Sequence, residues 1–208
     1  MINTESLITF ILASTILAFA PGPDNIFVLT QSALYGKRPG IIITLGLCTG
    51  LIVHTTTVAL GVAAIFMLST SAFTILKLIG ASYLLYLAWQ AWKASANSLD
   101  SVTTILPSGA ALYRRGIIMN ISNPKIAIFF LAFLPQFADP AIGNMTFQLF
   151  ILGCIFIMVS LVVFSTIACL SGFIADYFKR SQRAQTILNR IAALVFTSLA
   201  LRLATVTR

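Results

Sequence analysis

The chain has 208 residues, 59% of them hydrophobic and only 9% charged, against a charged share of about 25% in an ordinary soluble domain. With mean hydropathy at +0.99 it lacks the polar residues that a water-facing globule needs on its surface, so its solvent is lipid. The 13 Lys or Arg against 5 Asp or Glu give a net charge of +8, but these cations lie between apolar runs, as loop charges do in membrane proteins, and imply no nucleic-acid partner.

At about 20 residues per crossing and several per connection, the length holds about six spans and no separate soluble domain. In chain order the apolar stretches predict spans at 7–35, 40–68, 72–92, 116–137, 146–172 and 187–207. The first could be mistaken for a secretion signal, since Ala18 and Ala20 form a small-x-small pattern. Met1 to Ser6 carries no Lys or Arg, however, and Pro21 follows the would-be cleavage point, so the segment is expected to stay in the mature protein. The sixth is the least regular, because Arg190 and Arg202 must snorkel toward opposite interfaces for it to cross. Cys48, Cys154 and Cys169 all fall inside apolar runs without CxxC spacing, so neither a disulfide framework nor a zinc site is expected.

Orientation follows from the cations. Lys37, Arg38, Lys93, Arg114, Arg115, Lys179, Arg180, Arg183 and Arg190 fall on one side of the predicted membrane, whereas the other side has only Arg202 and Arg208 at the C-terminal end. The positive-inside rule puts the nine in the cytoplasm and both termini outside. Lys77 and Lys125 remain within spans.

Six spans divide into two sets of three, and an odd number makes the second set enter the membrane opposite to the first. The expected fold is an all-α membrane protein of two inverted three-helix repeats, at about 1–93 and 116–208, joined by a linker at 94–115. Pro21, Gly22, Pro23, Asp24 and Asn25 interrupt the first span of one set, and Asn120, Asn123, Pro124 and Lys125 that of the other. Breaks at matching positions of two halves mark a transporter's binding site. Ten residues, Ile26 to Tyr35, lie between the first break and the turn at Gly36 and cytoplasmic Lys37, about 15 Å of helix, and eight separate Arg115 from the second break, about 12 Å, so the two lie at similar depth.

Two readings of Asp24 and Lys125 follow. In one they form a structural ion pair, with Asp24 also capping its half-helix. In the other Asp24 receives a substrate ammonium and Lys125 a substrate carboxylate, and an amino-acid zwitterion matches both charges. Asn25, Asn120 and Asn123 complete the candidate substrate set, with Lys77 either a further member or a snorkelling cation. His54, the only histidine, lies mid-span beside Thr55, Thr56 and Thr57. It is either a hydroxyl-bonded structural imidazole or, with Asp24, a carrier of protons. Gly46 and Gly50 form a GxxxG pattern for close helix contact, which also permits a homodimer. Tyr83, Tyr86, Trp89 and Trp92 read as an aromatic belt. There is no GxxxxGK[ST], HExxH or GxSxG, so no enzymatic activity, metal or cofactor is expected, and transport would draw on a proton gradient.

The runs APGPDN from Ala20 to Asn25, LKLIGASYLLYL from Leu76 to Leu87 and NISNPKIAIFFLAFLPQ from Asn120 to Gln136, with Gly36 and Lys37, resemble the LysE/RhtB family of bacterial amino-acid exporters over nearly the whole chain. The resemblance is closer to the RhtB branch. It implies a proton-driven inner-membrane exporter of homoserine, homoserine lactone, threonine or another neutral amino acid, with motif positions at Pro21, Gly22, Pro23, Asp24, Asn25, Lys77, Asn123, Pro124 and Lys125. Leucine or basic amino acids are alternative cargoes, and the competing functions are a passive channel and an assembly or sensory subunit.

Overall fold

The computed structural model describes residues 2–68, 70–93, 107–173 and 182–205. Residues 94–106 of the predicted linker, Lys179, Arg180 and Arg208 lie outside that set, as do the side chains of Lys77, Arg183 and Arg202.

Helix α1 (Thr4–Phe19) starts at Asn3, whose side chain accepts from the Glu5 amide at 3.2 Å. It ends because Pro21 and Pro23 have no amide proton to give the Leu17 and Phe19 carbonyls four residues back. Pro23 instead sits at the first position of α2 (Pro23–Tyr35), where a missing amide costs nothing. The two helices meet at a bend of 58°. A single residue, Gly36 at φ 86°, turns the chain into α3 (Lys37–Leu68). Helix α4 (Thr70–Lys93) follows.

Helix α5 (Gly109–Ile121) begins seven residues before the predicted span, because the Ser108 hydroxyl caps it by accepting from Ala111 N at 3.3 Å. Arg114 and Arg115 are therefore helical rather than part of a linker. The second break falls at 122–123, and Asn123 caps the next short helix, α6 (Pro124–Ile128). A π-helical turn at Phe129–Phe133 and a 3₁₀ turn at Leu134–Phe137 prolong it, so that this span also bends, by 49°. Gln148 ties down the loop beyond: its Oε1 accepts from Asp139 N at 3.0 Å and its Nε2 donates to Asp139 O at 2.8 Å. Helices α7 (Met145–Cys169) and α8 (Gln182–Thr205) complete the described chain.

Among the described residues, α3 and α7 are each long and apolar enough to cross a membrane, and the two bent pairs bring the number to four. Helices α4 and α8, with 24 residues each, are about 36 Å long and pack along one another. Every described element is helical.

In lipid, helices are held together by close packing rather than by water exclusion. Two clusters do this. Phe10 of α1 packs on Phe129 and Phe137 of the second bent span, and Phe129 in turn on Phe133 and Phe156, with ring centroids 5.0–6.4 Å apart. A smaller cluster joins Ala18, Val28, Ile43, Leu47, Phe164 and Ala168 beneath α2. Gly46 and Gly116 face each other where α3 crosses α5: a Cβ on Gly116 would lie 2.6 Å from Ile43 O, and one on Gly46 would collide with Tyr113 O. Tyr86, Trp89 and Trp92 are exposed on α4, with Lys93 over Trp89 at 4.3 Å and Arg190 over Trp92 at 5.6 Å, the arrangement of an interfacial belt rather than of a site lining.

Candidate functional site

The broken spans meet at their breaks, and five of the six candidate substrate residues meet there with them. Asp24, Asn25, Asn120, Asn123 and Lys125 are 1%, 7%, 0%, 3% and 5% exposed. Lys77, the sixth, belongs to α4, with its side chain outside the described residues.

Two of these side chains, Lys125 and Asn25, are held by carbonyls at the end of α1. The Leu17 carbonyl, deprived of a donor by Pro21, accepts from Lys125 Nζ at 3.5 Å, and the Ala20 carbonyl accepts from the same ammonium at 3.0 Å. The Ala18 carbonyl accepts from Asn25 Nδ2 at 2.7 Å. Gly22 makes the Lys125 approach possible, since a Cβ there would stand 3.0 Å from Nζ. The negative end of α1 thus receives the lysine, while Asp24, in the first turn of α2, lies at that helix's positive end.

These contacts correct the structural reading of the pair. The cap of α2 is Gly22, not Asp24. The Lys125 ammonium turns to the α1 carbonyls instead of the carboxylate, because two unpaired carbonyls in lipid need a donor. Asp24 Oδ2 accepts from Asn120 Nδ2 at 3.3 Å, and Oδ1 lacks a hydrogen bond of regular geometry. Lys125, Asn123, Asn120 and His54 are its electrostatic neighbours.

His54 enters the site through the second break. Pro124 has no amide proton for the Asn120 carbonyl, which accepts instead from Asn123 N at 3.0 Å and pairs with His54 Nε2 at 3.2 Å. A carbonyl only accepts, so Nε2 carries the proton. The expected hydroxyl partner is replaced by this carbonyl; Thr55 Oγ1 donates back to Leu51 O at 2.8 Å within its own helix. Gly50 gives Asn120 its room, since a Cβ there would lie 2.7 Å from the Asn120 side chain. This contact fits a positioning role for His54 at Asn120, beside its direct electrostatic action on Asp24. His54→Gln, whose amide also donates, is expected to keep transport and its pH profile, whereas His54→Leu removes one of the carbonyl's two donors at a cost of about 0.5–1.5 kcal/mol. A shifted pH profile in His54→Gln, measured in reconstituted vesicles, would instead make the imidazole a proton carrier.

Four polar atoms in the cluster lack a hydrogen bond of regular geometry: the acceptors Asp24 Oδ1, Asn25 Oδ1 and Asn120 Oδ1, and the donor Asn123 Nδ2, whose amide lies beside the Asp24 carboxylate. The amide orientations are fixed by their other bonds, since Asn25 and Asn120 donate to oxygens through Nδ2 while Asn123 Oδ1 accepts from Lys125 N at 3.0 Å. Buried unpaired acceptors beside a carboxylate suit a cation with several N–H donors, such as a primary ammonium. Sequence reasoning found the side chains but missed the carbonyls of Leu17, Ala18 and Ala20 as their partners. The signal was present for Leu17, four residues before Pro21, whereas Ala18 and Ala20 lie four before Gly22 and Asp24 and lose their donors only to the bend between the helices.

A family model described as LysE type translocator matches residues 15–207. The chain belongs to this family. Among LysE relatives, a Salmonella typhimurium (strain LT2) protein named homoserine/homoserine lactone efflux protein is 36% identical over 171 residues, 82% of each chain. A Salmonella choleraesuis protein named leucine efflux protein is 28% identical over 95% of this chain and 93% of its own. A Vibrio cholerae membrane protein is 30% identical over 95% and 96%. No solved structure matches the chain. LysE membership makes this a translocator and an integral membrane protein.

Proposed function

We propose that this LysE translocator is a secondary active exporter of neutral amino acids, homoserine, its lactone, threonine and leucine being the first to try. The observation that carries this reading is the group of buried oxygens of Asp24, Asn25 and Asn120 that lack a regular hydrogen bond at the crossing of two broken spans. A substrate ammonium would meet these oxygens, while Lys125 would meet the carboxylate or carbonyl at the other end of the molecule. Asp24 is the only acid in the predicted spans, so a singly cationic head group fits better than a basic amino acid. A proton and the substrate ammonium compete for the Asp24 carboxylate, which couples efflux to proton entry.

The architecture proposed is six spans in two inverted repeats, at 1–93 and 116–208, in a bacterial inner membrane with both termini periplasmic. Packing supports the repeat: α3 of the first set lies on α5 of the second, α7 of the second lies on α1 of the first, and α3 with α7 and α4 with α8 pair across the halves. Rocking of the halves would open the site to each side in turn. A continuous channel is disfavoured because the cluster is closed to solvent.

The test is a panel of radiolabelled neutral amino acids in proteoliposomes under two imposed pH gradients. Counterflow of at least one amino acid, with net movement set by the gradient, is expected. No transport of any member overturns the substrate reading, flux without trans-stimulation makes the protein a channel, and indifference to the pH gradient removes the proton.

A further inference from the structure

The Lys125 ammonium does something in this closed site that the substrate reading alone does not require. It occupies the carbonyls at the end of α1, at 3.0 Å from Ala20 O and 3.5 Å from Leu17 O, instead of extending to the carboxylate beside it. Gly22 leaves the space for it, and the lysine is 5% exposed. Those carbonyls exist because Pro21 breaks the helix, and without a donor they would prevent the break from closing in lipid.

We propose that Lys125 is a tethered substitute for the substrate's ammonium, which allows the emptied transporter to close and return. This rests on the exporter reading and adds a stage to it. With cargo bound, the cargo's ammonium takes over the α1 carbonyls beside the Asp24 carboxylate, and Lys125 swings from those carbonyls to the cargo's carboxylate. Once the cargo has left, Lys125 swings back, pairs the carbonyls as they are paired in this structure, and lets the two halves close without cargo. A transporter without this substitute could exchange cargo for cargo, because both strokes are then loaded. It would fail at net export, which needs an unloaded stroke.

The experiment compares two rates in proteoliposomes for a transported amino acid: exchange, with the amino acid on both sides, and net efflux into amino-acid-free buffer. Lys125→Ala removes the ammonium. Gly22→Ala keeps it but puts a methyl 3.0 Å from where Nζ rests, and the Gly22 backbone, at φ −167°, accepts alanine. In both variants net efflux is expected to fall at least about tenfold more than exchange, and in Lys125→Ala millimolar ethylammonium on both sides should restore part of the net rate. Lys125→Arg, still cationic, should keep the ratio closer to wild type. Equal falls in both rates for both variants overturn the proposal and leave Lys125 as a substrate contact only. Unchanged rates in Lys125→Ala overturn the lysine's part in the exporter reading as well. If Lys125→Ala does not fold, Gly22→Ala decides alone, by whether its two rates separate.

Discussion

Replacing Asp24 with Asn is expected to reduce transport by at least about 30-fold while leaving the protein in the membrane. Asn is nearly isosteric and can still accept from Asn120 Nδ2, which now holds Oδ2 at 3.3 Å, so the fold loses little. A substrate ammonium, by contrast, loses its only carboxylate, and removing one partner of a desolvated charged pair costs about 2–5 kcal/mol. The same change removes the proton's binding atom, so any residual flux should no longer respond to an imposed pH gradient. Uptake of labelled substrate into proteoliposomes, normalised to inserted protein, measures the effect. Wild-type flux in Asp24→Asn would remove the carboxylate from the mechanism.

The second large effect is on stability. Gly46→Ala and Gly116→Ala are each expected to destabilise the protein by about 1–3 kcal/mol, because the new methyl meets backbone and no rotamer can relieve it. On Gly46 the neighbour is Tyr113 O, and on Gly116 it is Ile43 O at 2.6 Å. Gly61→Ala, on the same helix α3 but with nothing within 4 Å of the added carbon, is the control. It should be neutral or gain a few tenths of a kcal/mol from helix propensity. Thermal unfolding in detergent reads all three, and an undisturbed midpoint in Gly46→Ala would mean that α3 and α5 are not locked at this crossing.

The breaks were legible in the sequence because proline acts locally. Pro21, Pro23 and Pro124 end helices by rules that need no tertiary contact, and the polar residues beside them could be placed at one depth by counting helical rise. What was not legible was which polar atom meets which. Asp24 and Lys125 attract each other in any count of charges, but the lysine pairs with carbonyls of α1, over a hundred residues away in sequence. That choice depends on how the two spans cross, which no local pattern encodes. His54 illustrates the same limit, since its neighbours Thr55 to Thr57 are near in sequence while its partner is the Asn120 carbonyl. The start of α5 was missed for a different reason: Ser108 and Gly109 sit in polar sequence that reads as loop, and Arg114 and Arg115 mask the helical register.

The π-helical turn at Phe129–Phe133 carries a consequence for the chain's length. A π turn accommodates one residue more than an α-helical one, in effect a retained insertion, and each residue in a helix rotates the next by about 100°. Phe129, Phe130 and Phe133 all point inward along this turn, at 0% exposure, and Phe137 beyond it packs on Phe10. Shortening this stretch by a single residue would restore a regular helix, yet would rotate everything from Leu134 onward away from α1. The span therefore tolerates substitution of its side chains more readily than any change in its number of residues.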